Sequence, residues 1–141
     1  MIENNNVELL FEAKSENEAF ARVVAAAFVT YLDPTMEELQ DIKTAVSEAV
    51  TNAIVHGYDN GPGKVRMRLK GIQNQVIIEV HDDGLEMENV AKAIEPLSTT
   101  KPEQERSGMG FSFMEAFMDD LRVASAPGKG TTVLMRKKIG E

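Results

Sequence analysis

A chain of 141 residues has the length of one domain, and 43% hydrophobic residues are enough to form a core. The net charge of −8 disfavours direct binding to nucleic acid, which needs a basic surface against the phosphates. No apolar run reaches the roughly 18 residues of a membrane span, the acidic N-terminus does not resemble a secretory signal, and the lack of cysteine excludes disulfides and thiolate metal sites. We therefore expect one domain over residues 1–141, located in the cytoplasm, with no membrane or nucleic-acid partner.

The first part of the chain predicts a strand followed by two helices. Weak alternation over residues 8–13 indicates the strand. Ser15 and Glu18 match a capping box, in which each residue satisfies a free backbone donor at a helix start. Thr35 and Glu38 match a second capping box, which should open the second helix. The periodicity of the first helix predicts one buried apolar face, formed by Phe20, Val23, Val24, Ala27, Phe28 and Tyr31.

The remainder of the chain predicts two hairpins separated by a loop. The second helix should end at Gly57, because glycine adopts the left-handed conformation of a helix C-terminus at little cost. Alternating apolar residues predict a hairpin over 65–69 and 75–81. Residues 95–107 lack periodicity and should form a mobile lid above a cleft. Further predicted elements are helices near 90–94 and 110–118 and strands near 121–126 and 131–138.

This order of elements predicts an α+β fold. We expect a two-layer sandwich in which helices cover one face of a mixed, mostly antiparallel sheet. Such an arrangement leaves a cleft beneath the loop at 95–107. The sequence shows no internal repeat and no low-complexity segment.

Two motifs place candidate functional side chains near the middle of the chain. Glu48 and Asn52 lie four residues apart on the second helix, so their side chains share a face and are about 40° apart around the helix axis. Asp82 ends an apolar strand and is followed closely by Gly84. A carboxylate at a strand end can accept a hydrogen bond from an exocyclic amine such as that of adenine. Each motif alone also fits an ordinary solvated helix face or a turn.

Two further motifs lie in the second half of the chain. Ser107, Gly108 and Gly110 precede a predicted helix, where backbone N–H groups and the helix N-terminus can approach a phosphate. Arg106 adds a guanidinium group suited to phosphate oxygens. Thr131 follows Gly-Lys-Gly in the last hairpin, a segment that by itself is most often only a turn.

The ordered set of motifs is more specific than its parts. A helical Glu-x3-Asn, a strand-end Asp-x-Gly, a Gly-x-Gly at a helix start and a hairpin Gly-Thr resemble the four boxes of the Bergerat-type ATP-binding superfamily, which includes gyrase and the histidine kinases. Residues 48–58 and 99–111 are similar to the corresponding segments of the anti-sigma F factors of endospore-forming bacteria. The resemblance covers about residues 10–136, nearly the whole chain.

The resemblance implies a role for each matched residue. Glu48 would be the general base of a protein-serine kinase, and Asn52 would be a ligand of Mg²⁺. Asp82 would recognise the adenine of ATP, and Gly84 would allow the nucleotide to approach closely. Thr131 would support a water network beside the adenine. The residues expected to hold the phosphates are Arg106, Ser107, Gly108 and Gly110.

The resemblance also implies protein partners. Arg22 matches a surface position that meets both a sigma factor and its anti-anti-sigma factor, and a homodimer is implied as well. The expected protein binds and inhibits sigma factor F with ATP bound, and it phosphorylates and inactivates the anti-anti-sigma factor. The sequence departs from the family pattern at Glu86, where the Asp-x-Gly motif usually continues to a second glycine.

Other functions remain open at this stage. The phosphoryl acceptor could be water, which would make the protein an ATPase, and the partner could belong to a general stress-response sigma system. A detached histidine-kinase domain is disfavoured, because His56 and His81 are predicted at a helix end and a strand end rather than in a dimerisation helix. A nucleotide-gated binding module without catalysis is disfavoured by Glu48, since a pure binder needs no base.

Overall fold

The computed structural model describes residues 4–58, 61–84, 114–126 and 130–140. Two α-helices have both of their ends in these ranges, α1 (Ser15–Val29) and α2 (Met36–Asn52). A 3-10 turn (Thr30–Leu32) follows α1, and a π-helical turn (Ala53–Gly57) extends α2. The strands are β1 (Asn5–Glu12), β2 (Lys64–Ile72), β3 (Gln75–Asp82), β4 (Asp120–Ala126) and β5 (Gly130–Lys138).

The strands form a five-stranded sheet in the order β1-β2-β3-β5-β4, and all of its described pairs are antiparallel. Helices α1 and α2 pack on each other and on the sheet. The core lies between the two layers, where Ile42 and Val46 of α2 join Met67 of β2 and Ile78 of β3, all fully buried. The predicted α+β fold is confirmed, and the parallel pairing implied by a mixed sheet does not occur among the described strands.

The start of α2 has the predicted capping box. The backbone N–H of Glu38 donates to Thr35 Oγ1 at 3.0 Å, and the backbone N–H of Thr35 donates to Glu38 Oε1 at 2.8 Å. The second carboxylate oxygen of Glu38 accepts from the backbone N–H of Gly140 at 2.8 Å. These hydrogen bonds, above all the one from the Thr35 backbone, hold the pKa of Glu38 below its ordinary value. Glu38 therefore joins the start of α2 to the end of the described chain.

The start of α1 differs from the prediction. Lys14 is the N-cap residue, and no side chain caps the helix. Ser15 is instead the first helical residue, one position too late for its hydroxyl to serve as the cap. The chain turns into α1 through Asn17, whose side-chain amide donates to the carbonyl oxygen of Glu12 at 2.9 Å. The capping box predicted at Ser15 and Glu18 is therefore wrong.

The buried face of α1 also differs from the prediction. The residues that α1 buries completely are Ala21, Ala25 and Val29, whereas Phe20 is 54% exposed and Val23 is 61% exposed. Val24 and Phe28 of the predicted face do pack against the core, although they are only partly buried. Apolar periodicity therefore identified the edge of the buried face of α1 but missed its centre at Ala21, Ala25 and Val29.

The end of α2 also differs from the prediction. The helix continues past Asn52 into the π-helical turn, which ends at Gly57. Among the described glycines only Gly130 and Gly140 have a positive φ, so the left-handed ending predicted for Gly57 is wrong. The need for glycine at this position has a different cause, which lies in its contact with Asp82.

The predicted helix at 90–94 and the predicted lid at 95–107 lie outside the described residues. Of the helix predicted near 110–118, residues 114–117 are described and helical. None of the helices in the described ranges has the length and hydrophobicity that a bilayer span requires.

Candidate functional site

Asp82 is the last residue of β3, and its side chain lies on the face of the sheet that the helices cover. It is only 5% exposed. Burial raises the pKa of Asp82 to about 6, because removal from water disfavours the charged carboxylate. The backbone N–H of Gly84 donates to Oδ1 at 3.0 Å and partly opposes this shift. A buried carboxylate of this kind gains from any further hydrogen-bond donor that enters the pocket.

Three glycines enclose Asp82. A Cβ atom on Gly57 would lie 2.5 Å from Asp82 Oδ1, so the end of the π-helical turn lies directly against the carboxylate. Gly84 faces the carbonyl oxygen of Gly57, and Gly130, with φ of 71°, faces the carbonyl oxygen of Asp82. A side chain at position 57 would collide with the carboxylate, and side chains at positions 84 and 130 would collide with the backbone around it. Backbone from the π-helical turn, the residues after β3 and the start of β5 thus packs closely around Asp82.

Asn52 is the last residue of α2 and is 4% exposed. Neither its amide nitrogen nor its amide oxygen has a hydrogen-bond partner in the described structure. An unsatisfied buried polar group costs about 1–3 kcal/mol, which a bound ligand, ion or water would offset. Glu48 lies one turn earlier on the same helix and is half-buried. The predicted pair therefore borders the interior of the protein and is not a solvated helix face.

The amide oxygen of Asn52 suits Mg²⁺, which binds few protein ligands when phosphate oxygens and water complete its shell. The described residues contain no cluster of three or more His, Cys, Asp or Glu side chains that could hold a metal without a nucleotide. Asn52 fits the role of a single protein ligand because its buried amide oxygen has no hydrogen-bond partner in the described structure and is available to a metal ion.

Thr131 is paired with Asp82 across the β3–β5 ladder and is 5% exposed. Its hydroxyl donates to Ser125 Oγ at 3.1 Å, and Ser125 Oγ donates to the carbonyl oxygen of Gly130 at 3.3 Å. The antiparallel register therefore brings two distant sequence motifs side by side. The water network expected at Thr131 remains a prediction.

Arg22 lies on α1, and its side chain is 39% exposed. Its Nε atom is 3.5 Å from a carboxylate oxygen of Glu18, one turn earlier on the same helix. The structure thus brings Asp82, Gly84 and Thr131 together, with Asn52 and Glu48 on the helix that ends against Asp82, and places Arg22 on a separate element. The remaining predicted residues lie outside the described ranges: Glu86, Arg106, Ser107, Gly108 and Gly110.

Sequence reasoning missed a second polar cluster next to Asp82. The ring of His81 contacts Thr132 Oγ1 through Nδ1 and Asp83 Oδ1 through Nε2, both at 2.7 Å. The hydroxyl of Tyr58 accepts a hydrogen bond from the backbone N–H of Asp83 at 2.9 Å and donates to the carbonyl oxygen of Lys64 at 2.6 Å. The strand register explains the contact of His81 with Thr132, and the packing of Tyr58 on the ends of β2 and β3 explains the hydrogen bonds of its hydroxyl. The local hint for Tyr58 was that it directly follows Gly57.

Comparison with known proteins agrees with this geometry. Residues 11–137 match the family model described as a histidine kinase-like ATPase domain, and the antiparallel sheet covered by helices is consistent with that class of protein.

Proteins named anti-sigma F factor are similar over nearly their whole length. The one from Caldanaerobacter subterraneus subsp. tengcongensis is 57% identical, with 97% of this chain and 96% of the relative covered. Those from Clostridium acetobutylicum and Clostridium perfringens are each 56% identical, with 96% of this chain and 94% and 98% of the relatives covered. The chain therefore belongs to the anti-sigma F factor family of histidine kinase-like ATPase domains, and the resemblance seen in the sequence motifs is confirmed.

Proposed function

We propose that this protein is an anti-sigma factor that binds and inhibits sigma factor F when ATP is bound, and a protein-serine kinase that phosphorylates and inactivates its anti-anti-sigma factor. The observation that carries the proposal is the pair of buried polar side chains, Asn52 at the end of α2 and Asp82 at the end of β3, in a chain similar to anti-sigma F factors over nearly its whole length. Membership of that family supports the sigma-factor partner, and the two buried polar side chains support ATP.

The pocket residues have complementary roles in the proposed reaction. Asp82 accepts a hydrogen bond from the adenine amine, and Asn52 offers its amide oxygen to Mg²⁺. Glu48 orients the serine hydroxyl of the antagonist and takes its proton as the serine oxygen bonds to the γ-phosphorus and the bond to ADP breaks. Mg²⁺, when bound, offsets the charge of the phosphate oxygens. Each role matches a residue at or beside the buried end of α2.

The rest of the proposed site comes from outside the described residues. The phosphates are held by backbone and side-chain donors, and residues 95–107 act as a lid that excludes water during transfer. We further propose that residues 1–141 form one domain, that the protein acts as a homodimer in the cytoplasm, and that Arg22 contacts both protein partners. The phosphate-binding residues are Arg106, Ser107, Gly108 and Gly110.

The experiment that tests this function compares the wild type with Glu48→Gln. Each protein is incubated with Mg²⁺, γ-labelled ATP, sigma factor F and the anti-anti-sigma factor, and phosphoserine, free phosphate and captured sigma factor are measured. Loss of a general base typically lowers the rate about 10²–10⁴-fold. Glu48→Gln should therefore lose phosphorylation by that factor but still capture sigma factor, because capture depends on bound ATP and not on turnover.

A matched control is Glu37→Gln, which removes an exposed carboxylate from the first turn of the same helix and should change neither readout. Phosphorylation by Glu48→Gln at the wild-type rate would exclude Glu48 as the base. Free phosphate without phosphoserine in the wild type would favour the ATPase alternative. A parallel incubation replaces sigma factor F with a stress-response sigma factor, and capture of that protein alone would favour the alternative partner.

A further inference from the structure

The π-helical turn at Ala53–Gly57 places Gly57 against the pocket carboxylate. Such wide turns are rare and occur frequently at functional sites. A Cβ atom at Gly57 would lie 2.5 Å from Oδ1, 2.6 Å from Cγ and 3.0 Å from Oδ2 of Asp82. Real Cβ atoms essentially never approach other atoms more closely than 3.0 Å. The carboxylate therefore occupies space that any other residue at position 57 would take.

Tyr58, the next residue, holds the backbone on the other side of the carboxylate. Its hydroxyl accepts from the N–H of Asp83 at 2.9 Å and donates to the carbonyl oxygen of Lys64 at 2.6 Å. The ring lies over Gly63, where a Cβ atom would collide with it. One phenol group thus ties the residue after Asp82 to the first residue of β2 and joins both strand ends to the segment that follows the π-helical turn.

We infer that Gly57 and Tyr58 are positioning residues that set the preference of this site for adenine, by holding the Asp82 carboxylate where an exocyclic amine can reach it. Gly57 does so by leaving the carboxylate its space, and Tyr58 does so by fixing the backbone of Asp83. This inference rests on the proposed role of Asp82 in binding adenine. Neither residue needs to touch the nucleotide.

The backbone at position 57 has little room to move away from the carboxylate. Gly57 is buried, and its backbone occupies the space of a Cβ atom at position 84, whose N–H donates to Asp82 Oδ1. A methyl group at position 57 would therefore push the carboxylate aside. A displacement of about 1 Å takes a typical hydrogen bond of about 2.9 Å beyond the range in which it contributes. The amine contact would be lost, while contacts made by the phosphates and the ribose would remain.

The test compares two nucleotides that differ only in this amine. The dissociation constants of ATP and of purine riboside triphosphate, which has hydrogen in place of the amine, are measured for the wild type, Gly57→Ala, Tyr58→Phe and Asp82→Asn. The adenine preference is the ratio of the two constants. We expect Gly57→Ala to lower this preference about tenfold, which is about 1.4 kcal/mol, and Tyr58→Phe to lower it by a smaller factor. Binding of purine riboside triphosphate should be unchanged in both variants.

Tyr31→Phe is the matched control for Tyr58→Phe, because Tyr31 is an exposed tyrosine of the turn after α1. It should keep the wild-type preference. Urea unfolding establishes that each variant is folded. If Gly57→Ala does not fold, Tyr58→Phe decides the test alone, since it removes a single hydroxyl group.

Two results would overturn the inference. In the first, Gly57→Ala and Tyr58→Phe are folded and keep the wild-type adenine preference, although Asp82→Asn has lost it. The other is equal weakening of both nucleotides, which would indicate a general structural role for Gly57 and Tyr58. A different result would count against the proposed role of Asp82 itself: a wild type with no preference between the nucleotides, or an Asp82→Asn variant that keeps its preference.

Discussion

Replacing Asp82 by asparagine should make the nucleotide-free protein more stable and its ATP binding weaker. The pKa of Asp82 rises from 3.8 to about 6 on folding because of burial. Each unit of pKa corresponds to about 1.4 kcal/mol, so ionisation costs the folded protein about 3 kcal/mol more than the unfolded chain. Because the folded pKa is the higher one, the free energy of unfolding is not reduced below about pH 4, where Asp82 is protonated in both states. It falls as the pH rises from about 4 to about 6, and at pH 7 the folded protein carries the full cost of the buried charge.

Asparagine has no charge to bury, and its side-chain oxygen can still accept the hydrogen bond from the Gly84 N–H. The variant should therefore match the wild type in stability near pH 4 and exceed it progressively as the pH rises. The gain at pH 7 has an upper limit of about 3 kcal/mol. Loss of a charged acceptor for the adenine amine costs about 1.5–3 kcal/mol, so the dissociation constant for ATP should rise about 10- to 100-fold.

Urea unfolding without nucleotide at pH 4, 5, 6 and 7 measures the stability difference, and calorimetry at pH 7 measures ATP binding. Glu37→Gln is the control, because this carboxylate is exposed in the first turn of α2 and should give no comparable gain. If Asp82→Asn is no more stable than the wild type at pH 7, or if the difference does not change with pH, burial of a charge at Asp82 is not costly. Unchanged ATP affinity in the folded variant would remove Asp82 from adenine recognition.

Two further substitutions test the start of α2 and the proposed partner surface. Glu38→Ala removes the capping box and the hydrogen bond to Gly140, so it should lower the free energy of unfolding by about 1–2 kcal/mol more than Glu37→Ala does. Equal losses for the two variants in urea unfolding would contradict the role of the cap. Arg22→Glu should leave ATP binding intact but abolish capture of sigma factor in the presence of Mg²⁺ and ATP, because it reverses the charge at the proposed contact and repels Glu18. Capture at the wild-type level would show that the sigma-binding surface lies elsewhere.

Local patterns predicted most of the elements because their causes are local. The capping box at Thr35 and Glu38 involves residues three apart, and the alternation in β2 and β3 directly reflects one buried and one open sheet face. The face of α1 could not be predicted in the same way. Apolar residues occur on more than one side of α1, and only its packing on α2 decides that the alanines turn inward.

The candidate site likewise combines residues that local sequence patterns predict with packing that they do not predict. Motif spacing identified Asn52 and Asp82, but the burial of Asn52 was not predictable, because a polar helix position normally faces solvent. Gly57 was identified as important for the wrong reason. A glycine in a sequence suggests an unusual φ, whereas the requirement here is space for Asp82, a residue that lies 25 positions further along the chain. Such a requirement exists only once the helix and the strand have packed together.

The packing of α1 bears directly on the proposed partner surface. Because Ala21 and Ala25 take the buried positions of α1, the large side chains of Phe20 and Val23 remain outside, 54% and 61% exposed. Arg22 lies between them in sequence, with a side chain that is partly exposed and held by a pair on its own helix. Aromatic residues and arginine dominate the binding energy of protein interfaces. A partner that binds at Arg22 would therefore also gain from covering this apolar surface, which folding of the chain leaves in water.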